Sequence, residues 1–343
     1  MPLATRSAIE SYASIDDILG DGRHRFFSQG YKSTNPQLHD LRVTHTESGS
    51  TLTASARLAM RGVWSVKGDS EQTPHLGTTD VIVLACRMAE AMLASRYSPE
   101  ILPKAHLESV TISGGNEPVE GTLGHLECRA TLQRTTEGST SVLRCTVASM
   151  TATLEVAHPS AELGLASVQS PSEEALVGSA GTRPYGGLWA ERQVSLSDVL
   201  LDPEDGTAHA LLSFSQDPSL NKADRRGLEA AYFQALSAVE YFVATLQLGQ
   251  VLLYRLDAVN REDSNTLWMR KTRITLDRPR SNMTDAPGTG LAARLSKNRM
   301  IVKNGESWRC ANVVGTFDAG EVVCSVAHRL PASFAAQATG ADQ

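Results

Sequence analysis

The sequence predicts an α+β protein built twice over, each half a long buried helix against an antiparallel sheet of roughly five to seven strands. Three observations predict it. The same order of elements, two strands, one long apolar helix, then more strands, occurs on each side of a Pro/Gly/Ser-rich stretch near mid-chain. Turns rather than helices join the strands, which calls for antiparallel pairing. Both helices are apolar over most of their circumference, the pattern of a helix enclosed on all sides. At 343 residues the chain is long enough for about two domains, each with its own core.

An N-terminal segment, residues 1–38, opens with Ser14-Ile-Asp-Asp-Ile-Leu-Gly20. It reads as a short helix capped by Ser14, with Asp16 and Asp17 at its positive end and Gly20 as its stop. Phe26, Phe27 and Tyr31 follow as an apolar anchor. In the first domain, 39–158, Leu41–Thr46 and Thr51–Met60 alternate around the hairpin signal Ser48-Gly49-Ser50. A helix from about Asp80 to Ser95 has Val81, Leu84, Ala85, Met88 and Met92 at spacings of three and four, with Thr78 or Thr79 as its cap. Strands are expected over Leu107–Ser113, His125–Arg134 and Ser141–Val156. Residues 159–187 have linker composition.

The second domain, 188–332, repeats the plan. Gln193–Leu201 and Ala208–Phe214 flank the turn Asp202-Pro203-Glu204-Asp205-Gly206. A helix is expected from about Arg225 to Leu246, then strands Gln250–Val259, Thr266–Asp277, Leu291–Lys303, Trp308–Phe317 and Glu321–Leu330. Residues 333–343 read as a frayed tail. The repeat is one of pattern, without convincing residue-level identity between the halves.

Composition narrows the function classes. Thirty-eight acidic residues against 32 Lys and Arg give a net charge of −6, which argues against a general affinity for nucleic acid. Five cysteines without a CxxC pair suit neither a disulfide scaffold nor a zinc or redox site. Cys86 falls on the first helix, either as a nucleophile or as a small buried hydrophobe. No HxxxH, phosphate-loop or GxSxG signature occurs, so neither metal nor cofactor is expected. Phe, Tyr and Trp are few, so aromatic stacking is not expected to be the main theme. The first 24 residues lack the apolar run of a secretory signal, and Val81–Cys86 is the longest strictly apolar stretch. No membrane association and a cytoplasmic location are the expectation.

One helix among many strands resembles the hotdog fold, in which a sheet wraps a central helix. Two such units in one chain resemble the double hotdog of fatty-acid and polyketide dehydratases and of gamma-butyrolactone synthases. Ser14–Gly20 with Arg25-Phe-Phe-Ser-Gln-Gly-Tyr-Lys32, and later Pro74-His-Leu-Gly-Thr-Thr-Asp80-Val-Ile-Val-Leu, resemble the avirulence D protein family known from plant-pathogenic bacteria. That resemblance implies synthesis of syringolide-type signals, in which a 3-oxoacyl thioester is joined to a sugar-like hydroxy-ketone such as xylulose. The carrier is then coenzyme A or an acyl carrier protein, and a homodimer is compatible. A hotdog dehydratase or thioesterase, or a non-catalytic acyl-binding module, are the alternatives.

His75 stands just before the first long helix, whose N-terminal N–H groups suit a developing oxyanion, and imidazole titrates near neutrality. It is either the acid/base group or a loop histidine that supports the cap. By resemblance to the dehydratases its partner is an acid of the second half, Glu229 or Asp224. Asp80 reads as a helix-start charge or a substrate contact. Arg87 and Glu90 sit three apart on an otherwise apolar helix, either at a polar spot facing the site or on an exposed edge, and a buried pair would bond mutually. Lys222 and Arg225, within Asn221–Arg226, read as a polar helix entrance for a sugar hydroxyl, a phosphate or a phosphopantetheine arm, or as a solvated helix start. Glu240 is either a buried acid with a raised pKa or a hydrogen-bond partner for a strand.

Overall fold

The structure is a computed structural model that describes residues 9–47, 49–136, 139–161, 164, 167–220, 224–262, 264, 267–277 and 288–331. The first half comprises β1 (Glu10–Ser14), α1 (Asp16–Leu19), β2 (Thr34–Thr46), β3 (Gly49–Met60), the two-residue strands β4 (Val66–Lys67) and β5 (Ser70–Glu71), and α2 (Thr78–Arg96). After α2 come β6 (His106–Ser113), β7 (Leu126–Thr136), β8 (Thr140–Val147) and β9 (Met150–Ala157). The second half comprises β10 (Val168–Ser172), α3 (Glu174–Val177), β11 (Gln193–Asp202), β12 (Thr207–Ser215) and α4 (Ala238–Leu256). It closes with β13 (Leu267–Leu276), β14 (Thr289–Lys303), β15 (Glu306–Phe317) and β16 (Gly320–Arg329).

This is the double hotdog expected from the order of elements. One antiparallel sheet runs β10-β2-β3-β7-β8-β9-β6 around α2, and its counterpart runs β1-β11-β12-β14-β15-β16-β13 around α4. The two are joined edge to edge, β6 against β13 with Thr111 opposite Arg273, so fourteen strands form one continuous sheet. Residues Thr78 to Ser95 of α2 are all buried, so its apolar residues cover every side rather than one stripe. Ser48 of the first hairpin, Lys222 and the expected tail 333–343 lie outside the described residues.

The edge strands are exchanged. β1 opens the first half but pairs with β11 of the second, and β10 opens the second half but pairs with β2 of the first. The stretch with linker composition is therefore, over 168–187, an arm laid across α2. Its Arg183 and Tyr185 are among the largest fully buried side chains of the protein. Its glycines serve close approach: a Cβ on Gly186 would stand 2.5 Å from the Ala180 carbonyl oxygen. The N-terminal arm does the same for α4, where Phe27 packs edge-on against Phe242 with ring centroids 5.9 Å apart. The arms also share residues at one constant spacing: Ser14 with Ser172, Gly20 with Gly178, Arg25 with Arg183, and Asp40 with Asp198. The two aspartates both adopt positive φ, at matching irregularities of β2 and β11. Tyr31 and Trp189, again equivalent, stack on each other at 6.0 Å.

Arg87 and Glu90 are buried, and they do not pair mutually. Arg87 bonds Glu173 at 2.5 Å and the Pro36 carbonyl, while Glu90 bonds Arg183 and accepts the Leu228 N–H at 2.8 Å. Arg183 also reaches Glu173 at 3.1 Å, which closes a chain of four charges between α2 and the arm. On α4 the corresponding positions are Gln247, which accepts from Arg25 at 3.0 Å, and Gln250.

Three local expectations change. The start of α2 is capped by Gly77 with Asp80 reaching back to its N–H at 2.9 Å, rather than by Thr78 or Thr79. The segment expected as one strand, 141–156, is two, turned at Ala148, whose φ is +48°. The second helix begins at Ala238, not Arg225, and runs through Leu256, so the strand expected over 250–259 is its last turns. Gly227 and Glu229, with φ of +81° and +64°, break any helix upstream, and Ser237 with Glu240 forms the capping box that starts it.

Arg183→Met leaves Glu90 and Glu173 buried without their shared partner. Urea unfolding should show a loss of about 3–5 kcal/mol. Adding Glu90→Gln and Glu173→Gln should recover part of it. A loss under about 1 kcal/mol for the single variant would remove the charge chain from the account of the fold.

Candidate functional site

A cavity of about 1260 Å³ opens where the N-terminus of α2 meets the sheet around α4. Its walls are Leu76, Gly77 and Thr78, the loop 114–119, the start of β13, the outer part of the β14–β15 hairpin, and Ser325–Ala327 of β16. Gln250 is the residue that α4 contributes. Three of the chain's four tryptophans, Trp64, Trp268 and Trp308, line it. Seven Lys or Arg side chains and one carboxylate, Glu117, also face it, although the chain as a whole is acidic.

His75 lies in this wall, two residues before the helix cap. Its ring sits between Trp64 and Trp268, at centroid distances of 5.3 and 5.4 Å. Nδ1 is 3.1 Å from the Thr73 carbonyl oxygen. A carbonyl only accepts, so Nδ1 carries the proton in the neutral ring and Nε2 keeps its lone pair. Burial lowers the imidazole pKa from 6.5, only partly offset by the Thr73 carbonyl and by Glu120, and so favours that neutral form near pH 7. The N–H groups of Thr78 and Thr79 open the helix beside it without an acceptor inside the helix.

Asp80 holds that helix start in place. It accepts from Gly77 N–H and, at 2.6 Å, from the Thr34 hydroxyl, and it is buried behind the wall rather than in it. Burial raises its carboxyl to about 6, against those two hydrogen bonds. Behind Gln250 runs a polar chain. Gln250 donates to the Tyr254 hydroxyl at 3.2 Å, which also accepts from Ser264 at 3.1 Å, and the Lys67 ammonium donates to Ser264 at 3.0 Å. Burial and the neighbouring Arg261 bring Lys67 down to about 8.

The second half carries a smaller counterpart, about 170 Å³, at the start of α4. There Ala235 stands two residues before the cap Ser237, the place His75 takes before Gly77. Arg192 lines it, donating to Glu240, Phe233 O and Ala235 O at 2.8–2.9 Å. Glu229 belongs to this cavity. It accepts from Leu107 N–H at 2.9 Å and from the Tyr185 hydroxyl at 2.7 Å, and burial raises its carboxyl to about 7. Glu240 is buried as the cap of α4 and the partner of Arg192.

The pairings expected for His75 are thus not made, because Glu229 lines the other cavity and Asp224 is exposed. Arg225 lies 4.2 Å from the Phe233 ring and donates to the Leu220 carbonyl, and Arg87 is held in the charge chain. Neither Arg225 nor Arg87 lines either of these two cavities. Of the described residues expected to form a site, His75 alone lines the large cavity. The tryptophans, Lys67 and Gln250 were not expected, and the concentration of scarce tryptophan was the signal available for part of that set. Cys86 is a buried thiol pushed up by desolvation. Among the described residues no cluster of three His, Cys, Asp or Glu is placed to hold a metal, and no helix is long and apolar enough to cross a membrane.

A family model described as Pseudomonas avirulence D protein (AvrD) matches residues 10–331. Comparison with curated proteins finds no match. Among solved structures, a hot dog fold protein of unknown function from Alicyclobacillus acidocaldarius is similar, at 12% identity and TM-score 0.37, over 84% of this chain and 95% of that one. The bifunctional dehydratase-cyclase domain of ambruticin biosynthesis gives 13% and 0.37 over 88% and 99%, and an isomerase-inactive variant of GphF DH1 gives 13% and 0.39 over 86% and 98%.

Because the Glu229 carboxyl rises from 4.5 to about 7 on folding, the folded state holds its proton more tightly than the unfolded chain. Its contribution to stability is full below pH 4.5 and is lost as pH rises through about 7. Thermal melts should therefore show Glu229→Gln gaining on the wild type across that window. A constant difference in Tm from pH 4.5 to 7.5 would show that Glu229 does not titrate there.

Proposed function

The chain belongs to the Pseudomonas avirulence D protein (AvrD) family, and on that footing we propose that it is an enzyme acting on an acyl thioester in the cavity before α2. The observation that carries the proposal is His75, an imidazole in the wall of a roomy cavity whose Nδ1 is tied to the Thr73 carbonyl, which leaves Nε2 as the proton acceptor. The reaction that family membership favours is acyl transfer from a 3-oxoacyl thioester to a sugar-like hydroxy-ketone such as xylulose. Nε2 takes the proton of the attacking hydroxyl, whose oxygen forms the ester bond to the thioester carbon. The carbonyl oxygen gains charge near the first N–H groups of α2. Collapse breaks the carbon–sulfur bond, and the imidazolium returns its proton to the departing thiolate. Closure would follow by attack of the carbon between the two acyl carbonyls on the ketone, which gives a hydroxy-lactone, and loss of water from that lactone gives the butenolide.

Dehydration of a 3-hydroxyacyl thioester is the other reading, and it calls for an acid beside the base. α4 presents Gln250 to the cavity rather than a carboxylate, which favours the transfer reaction. Thioester hydrolysis differs only in the attacking hydroxyl, water in place of the sugar.

Incubation with a 3-oxoacyl thioester and xylulose should release thiol and give a condensed product by mass spectrometry. Free acid alone would select the thioesterase, and an enoyl product the dehydratase. His75→Ala should lower kcat by at least about 100-fold with its fold unchanged. The acid limb of kcat/KM should lie below the ordinary imidazole value of 6.5, as the lowered pKa requires. Full activity in His75→Ala would dismiss the assigned base.

A further inference from the structure

The β14–β15 hairpin extends past the end of α4, and its outer part is both a cavity wall and an exposed surface. β14 is irregular between Ser296 and Arg299, which re-aims the outer strand, and Asn304-Gly305 closes it in a tight turn with positive φ at both residues. Met300, Ile301 and Val302 are 41%, 38% and 70% exposed, a run of three large apolar side chains in water. Flanking them are Lys297, Arg299 and Lys303, all exposed and all at the cavity. Among the described residues none of these three cations has a carboxylate within ion-pair distance. By contrast, Arg309 on the paired strand is neutralised by Asp257, and Arg329 by Glu306 at 2.8 Å.

We infer that this hairpin is the docking surface for an acidic carrier protein that delivers the acyl group on its prosthetic arm. The inference rests on the thioester reading above and chooses between its two carriers. A free nucleotide carrier needs its phosphates gripped by ordered donors, and it would leave Met300 and Val302 uncovered. Apolar side chains set among Arg and Lys are instead the composition of a protein interface, where the apolar part is covered and the charges steer the encounter. The partner must be acidic to match three cations unpaired among the described residues, on a protein of net charge −6. The arm then enters where the hairpin meets the cavity and reaches toward His75.

The test reads binding without turnover. An acyl carrier protein bearing an octanoyl group in amide linkage, which cannot be transferred, is fluorescently labelled and titrated with wild type and with K297E/R299E/K303E. The wild type should bind, weaken as NaCl is raised from about 50 to 300 mM, and lose about tenfold or more in affinity in the triple variant. R129E/R144E, exposed arginines of the first sheet, should change affinity less than about threefold. I301S/V302S, which keeps every charge, should weaken the carrier protein yet spare octanoyl-amide coenzyme A. Equal losses in both charge-reversed variants would overturn the inference. So would a triple variant that loses coenzyme A analogue as strongly as carrier protein, or one that loses only binding to phosphatidylglycerol vesicles. Because the amide is inert, failure of the thioester chemistry would leave carrier binding intact, and turnover of coenzyme A thioesters without carrier binding would defeat the docking surface alone.

Discussion

Everything in the structure depends on covering two largely apolar helices that are buried on every side. A sheet can wrap most of such a helix and leaves one flank open. Here each flank is closed by an arm from the other half, and at α2 the arm is fixed by the charge chain Arg87–Glu173–Arg183–Glu90. Four charges removed from water gain little net stability over a well-packed apolar contact, but they are strict about geometry. A Leu-for-Leu contact would let the arm slide by a residue. The chain of carboxylates and guanidinium groups does not, because any shift leaves a buried charge alone.

The same frame, used twice, has diverged in what its helix ends enclose. Before α2 the position two residues ahead of the cap is His75, and the space in front is wide. Before α4 that position is Ala235, and Arg192 lines the space, bonding Glu240 and two carbonyls. Thr34, which stands on β2 where Arg192 precedes β11, bonds Asp80 through a short hydroxyl behind the wall of the large cavity.

The fold class was legible because strand alternation and the all-round apolar helices are local patterns. The start of α4 was not, since Leu228, Ala231 and Ala235 keep helical spacing through a segment that Gly227 and Glu229 turn left-handed. The capping box Ser237-x-x-Glu240 was in the sequence and marks the true start. The arm over 168–187 was misread because Pro, Gly and Ser serve tight turns as well as loose linkers, and only contacts distant in sequence tell them apart. The repeated Ser, Gly, Arg and Asp at constant spacing would have revealed it. At the candidate site, the place of His75 just before a helix was readable. Its surroundings were not, because Trp64, Lys67, Gln250 and Trp268 come together only when the two halves meet.

The exchanged strands set an order of events for a chain made from its N-terminus. β1 can be synthesised and released into solvent long before β11 exists to receive it. The first sheet, complete through β9, must likewise hold β2 as a bare edge until β10 emerges. At about 5–20 residues per second such an interval lasts seconds, and an unpaired edge is a template for pairing with a neighbouring chain. A nascent first half can therefore borrow the arm of another copy, and two chains that trade arms in this way would each be correctly sheathed while joined to the other.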